Sequence, residues 1–279
     1  MKTMYIIKSI FIPLGVLILL NSCGIKGEGE VVSQTLSLEP FDVLQLNLDN
    51  VDVFLKQDTE QKVTVSGQQN IIDNLNTNVK DNKWEIDVQK NTRSYERLTV
   101  YISVPELKEI KVTAGGNVFT ETPFVNLNHL NLEMNADGQM NLDVEANSIN
   151  AKVDADGEIG IRGTADEIFC DMNASGKISF SALQSKNIEA EIRGDGNISL
   201  EGTTQNLNLD SNAGGGLDAF DLESTNATIL IRASGDANVT VQEKLNVTIK
   251  ASGDVYYKGR PIINPDISAS GKLYDANEN

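Results

Sequence analysis

Ala155-Asp156-Gly157-Glu158-Ile159, Ala174-Ser175-Gly176-Lys177-Ile178, Ala233-Ser234-Gly235-Asp236-Ala237 and Ala251-Ser252-Gly253-Asp254-Val255 are four copies of one phrase. The phrase occurs nine times, with its middle glycine at 116, 138, 157, 176, 196, 215, 235, 253 and 271, so copies fall 18 to 22 residues apart. A fixed period of about 20 residues marks a solenoid, in which each repeat is one turn of chain laid on the last. Two residues after the glycine stand Val118, Met140, Ile159, Ile178, Ile198, Leu217, Ala237, Val255 and Leu273, all apolar. Four before it stand Val112, Met134, Val153, Met172, Ile192, Ser211, Ile231, Ile249 and Ile267, and eight before it stand mostly Leu and Ile. The residues between are mainly Asn, Asp, Glu, Lys, Arg, Ser and Thr. That alternation of period 2 belongs to a strand with one buried face, and it fails the 3.6-residue spacing of a helix.

A glycine after Asp, Ser or Gly predicts a sharp corner at which the glycine takes φ > 0. Ala two before the glycine, in eight of nine copies, predicts a cramped inner site there. One turn cannot bury its own apolar side. Turns stacked about 4.8 Å apart do so, and nine of them make a rod section of roughly 40 Å. The expected fold is all-β: a parallel β-helix-like solenoid of nine regular turns, right-handed by the rule for parallel connections.

Residues 31–112 lack the phrase but are strand-rich at 43–48, 51–56, 62–66, 83–88 and 98–104, with 71–77 as a short helix. Pro105 and the absence of a long Gly/Ser/Pro linker argue that this half continues into the solenoid as irregular turns. A separate N-terminal β domain is the alternative. The expected organisation is a signal peptide over 1–22, a flexible tether over 23–30, an irregular β portion over 31–112 and the regular solenoid over 113–279.

The leader carries Lys2 and Lys8 and then an apolar run over 10–20. That run is shorter than the ~20 residues a spanning helix needs, so it reads as a cleaved signal peptide. Leu20-Asn21-Ser22-Cys23 resembles a lipobox, in which the cysteine is acylated and becomes the new N-terminus. Cys23 is therefore expected to carry lipid and to hold the protein on the outer membrane of a cell envelope, each buried methylene contributing ~0.8 kcal/mol. Cys170 is then the one unmodified cysteine, so an intramolecular disulfide framework is excluded, and its place among the inner residues makes it a buried thiol.

The 23 Lys and Arg against 40 Asp and Glu give a net charge of -17. Such a surface repels phosphate backbones, which excludes nucleic acid as a partner. The one histidine, His129, has no second His or free Cys near it in sequence. A His/Cys metal site and a Ser-His-Asp or Cys-His nucleophile are therefore not expected, and neither is a cofactor. Asp154-Ala155-Asp156-Gly157 and Arg193-Gly194-Asp195 both fall on the repeated corner and read as turn chemistry.

Asn131, Asn150, Asn208, Asn246 and Asn264 share the outward position seven before the glycine, which predicts a broken ladder along one sheet. Tyr256 and Tyr274 share another outward position and are placed to stack. These residues form the candidate binding surface, for a surface protein or a glycan. The alternative is a β-helical polysaccharide-active enzyme with acids clustered on one sheet, where Asp171, Glu191, Arg193 and Asp210 are outward neighbours on consecutive turns. Oligomeric state is not legible in the sequence.

The lipobox, Phe41-Asp42-Val43-Leu44-Gln45-Leu46, Leu98-Thr99-Val100-Tyr101-Ile102-Ser103-Val104-Pro105 and the serial Ala-Ser-Gly-Asp phrases together resemble the autotransporter-adhesin head domain family, also called the head GIN domain, of the Bacteroidetes type. The resemblance covers nearly the whole mature chain. It implies a β-helical, adhesin-like protein of the cell surface or periplasm, and it brings no catalytic or ligand motif. No translocator barrel is visible at the C-terminus, so lipid anchoring is expected in place of self-transport.

Overall fold

The computed structural model describes residues 24–277, so the expected signal peptide and the lipidation site Cys23 lie outside the described residues. The strands Gln139–Val153, Glu158–Met172, Lys177–Ile192, Asn197–Ser211, Gly216–Ile231 and Ala237–Ile249 stack parallel, one on the next. Most begin directly after one corner glycine and end four residues before the next. Positive φ marks a midway bend in three of them, at Gly163 (φ +139°), Ala182 (φ 55°) and Gly202 (φ +134°). A turn therefore has two faces, one before and one after the corner glycine.

The inner columns follow the period. Val118, Met140, Ile159, Ile178, Ile198, Leu217, Ala237 and Val255 pair in that order up the stack, each at most 2% exposed. Full burial of one such aliphatic side chain contributes about 1.5–3 kcal/mol, so the column is a main source of stability. Cys170 lies inside, between Ala151 and Ala190.

The corner glycines are needed for a reason the sequence reading missed. Among the described residues the glycines with positive φ are Gly29, Gly163, Gly202 and Gly259, none of them a corner. What the corner lacks is room. A Cβ on Gly138, Gly176, Gly196, Gly215, Gly235, Gly253 or Gly271 would stand 2.1–2.4 Å from the carbonyl oxygen of the corner glycine one turn below. The backbones are drawn that close by hydrogen bonds between corners, such as Gly235 N–H to Ala213 O at 3.0 Å and Gly253 N–H to Ala233 O at 3.1 Å. The alanine of the phrase is half-buried on the outer side of the corner, not in a cramped interior, and the buried member is the glycine itself.

The N-terminal half joins the same sheet with a reordered chain. Val43–Leu46 and Val51–Gln57 form a rung that pairs parallel on one side with Glu109–Val112 and Asn117–Thr120. On the other side it pairs parallel with Lys83–Ile86 and Leu98–Val104. The rung laid down first in sequence is thus an inner rung. Beyond Leu98–Val104, the antiparallel strands Lys62–Gln68 and Val31–Leu36 extend this end, and Val79–Lys80 pairs antiparallel with Lys83–Ile86.

Two expectations fail here. The helix spans Gln69–Ile72, not 71–77, because Leu75 bridges antiparallel to Val88 and Asn74 hydrogen-bonds the Lys90 carbonyl at 2.7 Å. Residues 24–30 are not a free tether: Ile25–Lys26 pairs parallel with Thr92–Ser94, Ile25 packs against the core, and the Glu28 N–H donates to Asn70 Oδ1 at 3.0 Å.

The opposite end is different. Ile262–Ile267 and Leu273–Asp275 pair on one side only, leaving Ile262 74% and Ile267 41% exposed. Ser268 N–H donates down to Ile249 O, and amides alternate in direction along a parallel strand, so the amide of residue 265 would face the open edge. Proline stands there, and it offers no donor to an incoming strand.

Candidate functional site

On the outer side of the face before the corner, the asparagines at offset seven stand in one column. Asn150 Nδ2 donates to Asn131 Oδ1 at 2.8 Å and Asn264 Nδ2 to Asn246 Oδ1 at 3.0 Å. Phe169, Glu189 and Thr228 interrupt the column, and Asn208 stands between the last two. A second, tighter ladder lies two residues earlier and was missed. Asn187, Asn206 and Asn226 each donate Nδ2 to the residue one turn below, Glu167, Asn187 and Asn206, at 2.8, 2.8 and 3.2 Å. The signal was the recurrence of Asn nine before the glycine in three consecutive turns.

The acids proposed for catalysis are partly brought together. Arg193 bridges Asp171 and Glu191 and also donates to Asn173 Oδ1 at 2.9 Å, whereas Asp210 is held by Arg232. All lie on the outward face of one sheet, each in an ion pair with an arginine. The arginine of Arg193-Gly194-Asp195 is one of these partners. Among the described residues no group of three or more His, Cys, Asp and Glu is placed to hold a metal ion. His129 Nδ1 shares a 2.6 Å hydrogen bond with Ser148 Oγ, and burial pushes the Cys170 thiol up to about 12.

On the outer side of the face after the corner, Tyr256 and Tyr274 stack with ring centroids 5.0 Å apart and planes 13° from parallel. The other end of this column carries a longer aromatic stack. Phe54 lies between Tyr101 at 5.4 Å and Phe119 at 5.5 Å, tilted 19° and 28° from them. Register places all three side by side on adjacent rungs. The outward positions of Phe54 and Tyr101 in the alternating segments 51–57 and 98–104 were visible in the sequence, but the adjacency of the three rings was not.

Between the two stacks the column continues through Asn141, Gly160, Ser179, Ser199, Asp218 and Asn238. These small side chains leave a depression of about 360 Å³ beside Phe119, lined by Asn141, Asp143, Gly160, Arg162 and Ser179 among others. No helix among the described residues is long and apolar enough to cross a membrane.

The chain matches the family model described as "Putative auto-transporter adhesin, head GIN domain" over residues 40–200 and 166–261. Three crystal structures share the fold. A "putative adhesin" from Parabacteroides merdae has 17% identity and a TM-score of 0.68, with 91% of this chain and 99% of that one covered. A "putative adhesin" from Parabacteroides distasonis has 19% identity and a TM-score of 0.66, with 90% and 99% covered. A "Putative lipid binding protein" from the same species has 20% identity and a TM-score of 0.64, with 91% and 99% covered. No curated protein matches the chain. Nine stacked glycine corners, the mainly aliphatic columns beside them and the family match together place this chain in the head GIN domain family of adhesin-like proteins.

Proposed function

We propose that the protein is a non-catalytic, adhesin-like binding module of the cell envelope, anchored through lipid on Cys23 to the outer membrane. The observation that supports it is the pair of open outer faces, each built from columns of side chains aligned in register at the spacing of the turns. Such faces suit a surface protein or a glycan, and the family and fold agree with that use. A polysaccharide-degrading enzyme would need paired carboxyls of unequal acidity in a cleft. The acids here sit in ion pairs on an open sheet.

Protease shaving of intact cells, combined with glycan and matrix-protein arrays, tests this reading. Cleavage at the cell surface with retention of some array ligands is expected, and so is loss of acyl-chain labelling in Cys23→Ser. Protection from protease together with blank arrays would overturn it in favour of a periplasmic structural role.

A further inference from the structure

A surface strand of this repeat does not need aromatics. At the outward position that holds Tyr101, Phe54 and Phe119, the next six rungs hold Asn141, Gly160, Ser179, Ser199, Asp218 and Asn238. Three stacked rings on a solvent face are therefore a local departure. Tyr101 is 43% exposed, and Phe54 and Phe119 are only half-buried. A contiguous apolar patch rimmed by polar groups is the ordinary mark of a recognition surface. Phe119 ends the stack at the depression floored by Gly160 and Ser179.

The lining of that depression has one cationic side chain, Arg162. Of the six arginines, Arg97, Arg193 and Arg232 are each tied to a carboxylate, and Arg93, Arg162 and Arg260 are not. Among the described residues, Arg162 has no carboxylate within ion-pair distance and makes no side-chain hydrogen bond, although Asp143 is its register neighbour. Its guanidinium is exposed. Around it stand the Asn141 amide and the hydroxyls of Ser179 and Ser181.

We infer that this depression is a subsite for a sugar residue carrying a carboxylate, a uronic or sialic acid, within a glycan of otherwise low charge. The apolar face of the pyranose lies against Phe119 and the rings behind it. The carboxylate meets the two parallel donors of Arg162. Asn141, Ser179 and Ser181 take hydroxyls, and Gly160 adds no side chain to the floor, where the Asn141 amide lies over it. The chain's charge of -17 repels dense polyanions such as sulfated polysaccharides, so isolated carboxylates are the anionic form this surface admits. The inference rests on the binding-module reading and names the ligand class for one of its faces.

The test uses the detergent-solubilised full chain on an array of neutral, uronate-bearing, sialylated and sulfated glycans, with affinities then measured in solution. Wild type is expected to retain carboxylate-bearing glycans. Arg162→Gln and Phe119→Ser are each expected to weaken them at least tenfold, with Lys80→Gln, an exposed cation outside this column, unchanged as the control. If Phe119→Ser does not fold, Phe119→Leu keeps the apolar volume and removes the ring. Preference for neutral or sulfated glycans, or unchanged affinity in the Arg162 and Phe119 variants, overturns the subsite while leaving the module reading standing. Blank glycan and matrix-protein arrays, with the protein protected on cells, overturn both.

Discussion

The carbonyl oxygen of Gly196 lies where a Cβ on Gly215 would come to within 2.1 Å of it, against 3.4–4 Å for ordinary contact. The two glycines are the same corner on adjacent turns, and their stacking sets how closely the solenoid can pile up. Gly215→Ala is expected to cost about 1–3 kcal/mol, as overpacking against backbone does. Gly214→Ser restores the Ala-Ser-Gly form of the phrase, and a Cβ there meets no backbone, only the movable end of the Asp195 side chain at 2.7 Å and Ser234 Oγ at 3.7 Å. It should lie within about 0.5 kcal/mol of wild type. Urea unfolding of the two variants measures the contrast, and equal costs would refute the packing account.

Ser211 is the one polar residue in its inner column, where Ile192 and Ile231 flank it, and its buried hydroxyl has no partner. Val153, Ile192, Ile231 and Ile249 at the same offset each reach toward the corner glycine of the next turn, so a branched side chain fits there. Ser211→Val is expected to stabilise the fold by about 1 kcal/mol through removal of an unpaired hydroxyl and added apolar burial. A lowered midpoint in urea would contradict this.

Burial raises the Cys170 thiol from 9.0 to about 12, with Asp171 adding to the effect. At a given pH below 9 the folded protein then has roughly a thousandfold less thiolate than the unfolded chain. Maleimide should fail to label native protein at pH 8 and should label it fully in denaturant. Because the folded pKa is the higher one, this group's contribution to stability is intact below pH 9 and is lost as pH rises toward 12. Rapid labelling of the native state would place Cys170 outside the core.

Burial pushes the Asp154 carboxyl up, but hydrogen bonds from Lys152 Nζ at 2.7 Å and Asn173 Nδ2 at 2.8 Å outweigh it and leave the group below its usual 3.8. A depressed carboxylate stabilises the fold above its unfolded value and loses that contribution as pH falls through the folded one. Asn173→Ala should therefore raise the Asp154 titration midpoint, read by NMR, and soften the acid limb of the stability curve. An unmoved midpoint would assign the shift to Lys152 alone.

The regular part of the fold was legible because nine copies of one phrase put the same side chain in the same place on every turn. Ile159, Ile178 and Ile198 could be stacked on paper and stack in the structure. The cause of the corner glycines was not legible, since composition cannot tell a backbone that needs positive φ from one pressed against its neighbour. Nor was the aromatic stack: Phe54 meets Tyr101 and Phe119 across 47 and 65 residues of chain with no repeating interval. The asparagine column stands where the sequence placed it, broken, as expected, at Phe169, Glu189 and Thr228. The better ladder through Asn187, Asn206 and Asn226 went unread although it obeyed the same period.

The segment 43–57 is synthesised before both of its neighbours yet ends up wedged between them. Assembly therefore cannot run as simple winding from the first strand to the last. The segment must wait, one edge unmatched, until residues 83–104 and then 109–120 arrive on opposite flanks. Excising it would sever the rod from its own foot, whereas losing a turn at the far end would only shorten it.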